Sequence, residues 1–337
     1  MTLLTTSGVV FLAALLCAAG MGLVIQRGGT CAVAAVEEVL AERRLTRLLA
    51  IVEASLWVSA GLLLAHRFGL LNALPAGYAV SGWTAGGAAL LGLGAALNRA
   101  CVVGTVARLG SGEWAYLATP VGFYLGCLTE QALFGLHPAQ RLTQAAPVLA
   151  APLWLAWALW AVLPALVAQR FWRVRRVRAQ GLVQGLVQGL WTPHNATALI
   201  GLLFVALLLL AGAWAYTDVL ADLARVMAGP LGAPGLGARA WLAGAMLAGA
   251  VAGGWLTGKW RRHPLRAQAV LRCAGGGLLM GWGGQMVPGG NDVLLLVGMP
   301  LLWPYAWVAF ATMGAVVAAA LGLPRWLGRG RTTMAGR

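Results

Sequence analysis

Long apolar runs alternate with short, arginine-rich loops along almost the whole chain. A helix needs about 20 predominantly apolar residues to cross the hydrocarbon core of a bilayer, and nine windows of this kind can be drawn. The windows are 6–25, 48–65, 79–97, 114–136, 146–168, 197–216, 238–258, 270–287 and 299–323. The pattern therefore predicts an all-α, polytopic membrane protein with about nine transmembrane helices.

Composition agrees with this prediction. Of the 337 residues, 60% are hydrophobic and only 10% are charged, and the mean hydropathy is +0.80. These values lie far from those of a soluble globular domain, so we expect a single membrane domain over residues 1–337 and no soluble domain. The first window starts close to Met1 without a basic start or a small-residue cleavage site, and we expect it to remain as a helix.

Basic residues fall at alternate ends of the windows. All but four of the 24 Lys and Arg residues lie on one side; the exceptions are Arg67, Arg141, Arg225 and Arg239. The positive-inside rule makes the richer side cytoplasmic, which predicts a protein of the bacterial inner membrane with its N-terminus outside and its C-terminus in the cytoplasm. Topology and contact with membrane lipid explain the net charge of +15, so we expect no nucleic-acid partner.

An internal repeat appears when the chain is shifted by 189 residues. The stretch "AGGAALLGLGAALNRACVVG" (85–104) then lies over "AGGGLLMGWGGQMVPGGNDV" (274–293), and a Trp and a Tyr farther along also coincide. Four windows of each half correspond, with one helix left unpaired between them. One odd helix between two copies inverts the second copy, as in many secondary transporters. Glycine-rich helices align easily by chance, but the paired aromatic residues favour a duplication.

The repeat divides the membrane domain into five parts. They are a first repeat (1–136), a connecting helix (146–168), a basic cytoplasmic linker (169–191), a second, inverted repeat (197–323) and a basic cytoplasmic tail (324–337). The linker contains a repeated Gly-Leu-Val-Gln motif. Two interpretations of it stay open, an interfacial helix on lipid headgroups and a flexible connector.

Three stretches break the apolar helices at membrane depth: "VIQRGGTCAVAAVEE" (24–38), "LNRACVVG" (97–104) and "MVPGGNDV" (286–293). Backbone that leaves a helix there must be buried in protein or line a wet cavity, because lipid offers its amides no partner. The second and third breaks therefore predict short half-helices that meet at a central constriction. We interpret the first break as a re-entrant or interfacial helix near the cytoplasmic face. We predict that the helix before the third break ends near Val287. The first break has no sequence counterpart in the second half, where residues 216–220 stand instead.

These stretches, with "GLGAALNRACVVGTVARLGSGE" and "GGGLLMGWGGQMVPGGND", resemble the signature stretches of the YeeE/YedE family, membrane proteins associated with transport of sulfur compounds such as thiosulfate. The resemblance implies an importer with an hourglass interior, whose cysteines pass an anion along, and a cytoplasmic sulfur-transfer protein as a partner. Cys31 and Cys101 match two relay cysteines. The third motif usually ends in Gly-Cys-Asn, and here Gly290 replaces that cysteine, followed by Asn291 and Asp292. One relay thiol is lost and a carboxylate is gained, so the substrate is thiosulfate or a related compound.

Arginine residues accompany both matching cysteines. Arg27 and Arg99 favour the thiolate form of a nearby cysteine and attract anions. The predicted substrate path comprises Arg27, Cys31, Arg99, Cys101, Gly289, Gly290, Asn291 and Asp292. We interpret Cys17 and Cys127 as packing residues, as buried cysteines commonly are, and expect Cys273 near the membrane face opposite Gly290.

Ionisable residues inside a membrane are functional hypotheses by default, and Glu53, Glu130 and Asp292 qualify. For Glu53 we prefer an ion pair with Arg44 or Arg47. For Asp292 two interpretations stay open: it binds a proton or cation that accompanies the anion, or it caps the half-helix that follows.

The motifs of common enzymes are absent. The chain has no Gly-x-x-x-x-Gly-Lys-Ser/Thr loop and no His-Glu-x-x-His, and its four histidines lie in separate loops. We therefore expect no enzyme activity, no cofactor and no metal. Two hypotheses remain: an inner-membrane transporter for a small sulfur-containing anion, and a non-transporting scaffold or accessory subunit for a sulfur-metabolism enzyme. A packed interior without a polar route would favour the scaffold.

Overall fold

The computed structural model describes residues 8–71, 74–135, 139–150, 152–176, 191–228 and 235–334. Within these ranges the chain is helical and holds no β-strand, and Tyr78 and Arg141 form an isolated antiparallel bridge. The helices are α1 (Gly8–Gly28), α2 (Ala32–Glu42), α3 (Thr46–Arg67), α4 (Gly82–Asn98), α5 (Val102–Gly110), α6 (Ala118–Phe134), α7 (Leu153–Arg176), α8 (Pro193–Ala211), α9 (Tyr216–Ala228), α10 (Leu236–Leu256), α11 (Ala267–Met286), α12 (Asn291–Val293) and α13 (Pro304–Met334). A π-helical turn, Leu294–Gly298, continues α12.

The chain is a multi-pass membrane protein. Six helical segments of the described ranges are long and apolar enough to cross a membrane: Gly8–Glu42, Thr46–Arg67, Gly82–Gly110, Pro193–Ala211, Leu236–Leu256 and Pro304–Leu323. Each overlaps one of the nine windows predicted from the sequence. The other three windows fall on α6, α7 and α11, so the count of nine crossings stays a prediction.

The predicted linker and tail lie partly outside the described residues. Positions 177–190 of the linker and 335–337 of the tail are not described. The first part of the linker continues α7, which ends at Arg176.

Glycines line the contact between α4 and α11 at the centre of the fold. A Cβ atom on Gly94 would meet the carbonyl oxygen of Gly276 at 2.6 Å, and one on Gly87 would meet that of Gly283 at 2.8 Å. The order of these pairs shows that the two helices are antiparallel. Small residues that let backbones approach closely are the usual means by which membrane helices associate. The opposite side of α11 packs on α6.

A second antiparallel pair is formed by α1 and α8. Gly20 lies beside the Leu203 side chain, and Gly28 lies beside Ala196. The same two helices extend the bundle, because α1 also packs on α10 and α8 packs on α3.

Glu53 of α3 contacts α8 rather than the arginines expected for it. Its Oε2 atom lies 2.7 Å from Nδ1 of His194. Arg44 and Arg47 instead pair with glutamates of α2. The prediction that Glu53 reaches Arg44 or Arg47 is therefore wrong, because α8 brings a histidine from the second half of the chain closer.

Short helices follow the predicted breaks. Cys31, Cys101 and Gly290 are the N-cap residues of α2, α5 and α12. The long helix α11 ends at Met286 with Val287 as its C-cap, which confirms the predicted end. Gly289 then takes φ of 140°, a backbone conformation that glycine adopts without steric cost.

A short helix also follows α8, where the sequence showed no motif. Helix α9 (Tyr216–Ala228) follows α8 as α2 follows α1. The signature sequence is missing from the second half, but a helix of similar length occupies the corresponding place.

Candidate functional site

Asn98 holds the break between α4 and α5 together. Its side chain is fully buried, and its Nδ2 donates to the carbonyl oxygen of Ala100 at 2.8 Å and to Oγ1 of Thr105 at 3.1 Å. Its Oδ1 accepts a hydrogen bond from Oγ1 of Thr119 at 3.0 Å. The Asn98 amide thus provides hydrogen-bond partners for polar groups of three segments, in a region where lipid provides no such partner.

Two cysteines meet at this break. The backbone N–H of Cys101 donates to Sγ of Cys31 at 3.4 Å. Cys101 also caps α5, since its Sγ accepts from the N–H of Gly104 at 3.4 Å. A Cβ on Gly104 would lie 2.5 Å from Sγ of Cys31, so glycine there leaves room for the thiol.

The third break reaches the same place from the second half of the chain. Oδ1 of Asn291 accepts a hydrogen bond from the N–H of Val102 at 3.2 Å. The carbonyl oxygen of Val102 accepts from the Tyr216 hydroxyl at 3.0 Å. Residues of α12 and α9 therefore satisfy the backbone of the residue that follows Cys101, whereas Nδ2 of Asn291 is buried without a hydrogen-bond partner.

Asp292 binds the start of α9. Its Oδ1 accepts from Oγ1 of Thr217 at 2.6 Å, and its Oδ2 accepts from the N–H of Thr217 at 3.3 Å. The side chain is 4% exposed. These bonds place Asp292 at the N-terminus of a different helix, α9, where a carboxylate is favourable.

Two cavities adjoin these residues. The first, which we name the apolar cavity, has about 60 Å³ of free space, and Cys101, Tyr216 and Asp292 form part of a wall otherwise made mostly of aliphatic side chains such as Met21 and Ile51. The second, which we name the polar cavity, has about 140 Å³. Its walls include Tyr78, Cys127, Thr217, Asp218, Arg225, Gln285, Gly289 and Gly290. Asp292 thus borders the apolar cavity and its partner Thr217 borders the polar cavity, so the hydrogen-bonded pair lies between the two.

Several of the predicted path residues come together here and two do not. Cys31, Cys101, Gly289, Gly290, Asn291 and Asp292 lie at the constriction or on a cavity wall. The guanidinium of Arg27 lies over the Trp191 ring, 4.1 Å from its centroid, and Arg99 is an exposed C-cap residue of α4. Neither arginine is on the wall of the two cavities.

Sequence reasoning missed the contribution of α9. Tyr216 and Thr217 contact the breaks of both halves, yet nothing in their sequence resembles a signature motif. The available signal was their position, because they follow α8 at the place where Cys31 follows α1. The role of Asn98 was also not predicted, although Asn98 lies within the second break, 97–104.

The remaining cysteines have different surroundings. Cys127, interpreted as a packing residue, is buried but also lines the polar cavity. Cys273 is fully buried and packs with Ala100 and Tyr116. Among the residues that the structure describes, no group of three or more His, Cys, Asp and Glu side chains is arranged to hold a metal ion.

Comparison with protein families matches most of the chain. The sequence model of a family described as "Sulphur transport" covers residues 27–319, a range that includes Cys31, Cys101 and the third break. The chain belongs to the YeeE/YedE sulphur transport family. Membership in this family, together with the spanning helices, supports a sulfur-related membrane transporter. Comparison with curated proteins gives no match.

Proposed function

We propose that this member of the YeeE/YedE family carries a small sulfur-containing anion through the constriction between the apolar and polar cavities. The observation that carries this proposal is the meeting of two broken helices, where the Val102 N–H donates to Asn291 Oδ1 at 3.2 Å. Broken backbone at membrane depth is tolerated where it is buried or lines a passage. Cavities on both sides of the Thr217–Asp292 pair fit a closed passage.

The two halves of the chain form an inverted repeat in this proposal. Support comes from the antiparallel packing of helices that correspond in order, α1 with α8 and α4 with α11. Parallel copies would require each such pair to run in the same direction. The four-one-four arrangement, nine crossings, an inner-membrane location, an external N-terminus and a cytoplasmic C-terminus belong to the same proposal, since the basic loops favour that orientation.

The residues at the constriction have distinct roles. Cys31 and Cys101 present polarizable sulfur to the anion, and Cys101 does so from the wall of the apolar cavity. The amides at the start of α5 are already bonded, Val102 to Asn291 and Gly104 to Cys101. Thiols therefore contact the substrate in this state, while the amides hold the constriction closed.

Arg27 and Arg99 act outside the constriction. Arg99 is exposed, and Arg27 stacks on Trp191 at the end of the long helix α1. Cationic side chains in such positions raise the local concentration of an anion without binding it tightly. The route then runs between a basic surface and the polar cavity.

Uptake into proteoliposomes tests transport directly. Labelled thiosulfate, sulfite and sulfate are presented with and without a proton gradient, and the parent protein is compared with Cys101→Ser and with Cys17→Ser as a matched control on α1. We expect uptake of at least one sulfur anion, a loss of about tenfold or more in Cys101→Ser, and no change in Cys17→Ser. Failure of the parent to take up any sulfur anion would support the scaffold alternative.

A further inference from the structure

Carboxylates outnumber cations on the walls of the two cavities. Among the described residues on those walls, Asp218 and Asp292 have carboxyl groups and Arg225 has a guanidinium group. Arg225 is already paired, with its Nη1 atom 3.0 Å from Oδ1 of Asp222, which also binds Arg239. An anion that passes between the cavities therefore meets net negative charge when both carboxyl groups are ionised.

Asp292 is fixed as a hydrogen-bond acceptor between the two cavities. Thr217 donates to both of its carboxylate oxygens, and each oxygen keeps a further lone pair. The titratable groups that face Asp292 are Tyr216 and Asp218 on α9 and Cys101 on α5. Tyr216, Asp218 and Cys101 carry no positive charge, and Arg225, the cation of α9 on these walls, is paired with Asp222.

The backbone at Gly290 excludes the thiol that the family motif places there. A Cβ on Gly290 would lie 2.6 Å from Oγ1 of Thr217 and 2.6 Å from Oδ1 of Asp292. The space of a relay cysteine is thus taken by a hydroxyl–carboxylate pair. Beside it, Nδ2 of Asn291 is buried without a partner and remains a free donor in a side chain that is 1% exposed.

We propose that this constriction selects singly charged sulfur anions, such as hydrosulfide, hydrogen sulfite and thiosulfonates, over the doubly charged thiosulfate and sulfate. The selectivity rests on the proposed transport function. Repulsion by Asp292 is twice as large for a doubly charged anion as for a singly charged one, and it is strong where little water screens it. The free-energy cost of removing an ion from water also rises with its charge. A monoanion that retains a proton also donates to Asp292 and accepts from the Asn291 amide.

Methanethiosulfonate and thiosulfate are the decisive pair of probes. Both carry a terminal sulfur on a sulfonyl centre, and they differ by one negative charge. Uptake of each into proteoliposomes is measured at one pH for the parent, Asp292→Asn, Asp292→Glu and Glu130→Gln. Glu130 is a buried carboxylate of α6 that is not on the walls of the two cavities, and its variant is the matched control.

We expect the parent to take up methanethiosulfonate about tenfold faster than thiosulfate, and Asp292→Asn to bring the two rates close to equality. Asp292→Glu and Glu130→Gln are expected to keep the parent's preference. The ratio of the two rates within one preparation does not depend on the fraction of folded protein, so partial misfolding of a variant does not obscure it.

Three results would overturn the selectivity. The first is thiosulfate uptake by the parent that is as fast as its uptake of methanethiosulfonate. The second is a ratio of the two uptake rates that is the same in Asp292→Asn as in the parent. Neither of these two results would contradict the proposed transport function. Uptake of neither probe nor of hydrogen sulfite would contradict transport itself, and the selectivity with it.

Discussion

The backbone N–H of Val102 donates a hydrogen bond to Oδ1 of Asn291, and the two residues are 189 positions apart. The same offset aligns the glycine-rich stretches of the two halves. Residues that correspond in two symmetric halves contact each other only near the axis that relates the halves. The helix breaks therefore meet at the place where the proposed inverted repeat has its axis, and a substrate site there draws equally on both halves.

Replacing Cys101 by serine tests whether the thiol is needed for transport without disturbing the fold. Serine is a good N-cap residue and accepts the Gly104 N–H as the thiol does. We expect the thermal stability of Cys101→Ser in detergent to match that of the parent, while anion uptake falls about tenfold or more. Full uptake by a correctly folded Cys101→Ser protein would remove the thiol from the proposed path.

Thiol labelling tests access to the cysteines. Cys101 lines the apolar cavity but is 1% exposed, and Cys31 is half-buried. We expect a membrane-impermeant maleimide added from the cytoplasmic side to label Cys31 before Cys101, and the transported anion to slow both reactions. Mass spectrometry of single-cysteine proteins measures each rate. Labelling of neither cysteine in a protein that transports would contradict their place on the path.

Gly290→Cys restores the family's third cysteine but places its Cβ against Thr217 and Asp292. We expect the single substitution to cost about 1–3 kcal/mol of stability, as overpacking usually does. Thr217→Ala removes two of the three blocking atoms, so the double variant is expected to regain much of that stability and to take up thiosulfate better than the parent. Thermal melting and uptake measure the two effects.

The matched control is a second double variant, in which Gly290→Cys is combined with Thr197→Ala instead of Thr217→Ala. Thr197 is also buried, and the hydrogen bond described for its hydroxyl goes to the carbonyl oxygen of His194. Equal recovery with Thr197→Ala would mean that relief of the predicted clash is not the cause. A stable Gly290→Cys single variant would show that the constriction yields more easily than its contacts indicate.

Asn98 provides a test of the break itself. Asn98→Ala removes hydrogen bonds to Ala100, Thr105 and Thr119 in a fully buried place. Loss of a buried polar partner typically costs about 1–3 kcal/mol for each group left unsatisfied, so we expect a clear fall in the melting temperature in detergent. Thr129→Val, which removes a hydroxyl on the exposed side of α6, is expected to melt close to the parent. Equal melting of Asn98→Ala and the parent would remove Asn98 as the residue that holds the break.

The sequence predicted the breaks because proline and glycine act locally. Pro288 lacks the N–H that a continuing helix needs, and Gly289 takes φ of 140°, so α11 ends just before them. The partner of Asp292 was not predictable in this way, since Thr217 lies 75 positions away and carries no motif. Proximity in sequence was a poor guide for Arg99, which was predicted to lie on the substrate path because it adjoins the break. It faces outward instead, from a left-handed C-cap with φ of 60°. Side-chain direction at a helix end depends on that conformation, which the residue type does not reveal.

Backbone touches backbone where Gly94 meets Gly276 and Gly87 meets Gly283. Two helices in such contact cannot slide or turn against each other without driving carbonyl groups together, so α4 and α11 behave as one stiff body. The short helices that start at Cys101 and Gly290 are each joined to this body by only a few residues. We therefore expect the proposed passage to open by a small local displacement of these short helices. The rate of opening would then depend on how easily a few hydrogen bonds exchange rather than on the movement of whole halves.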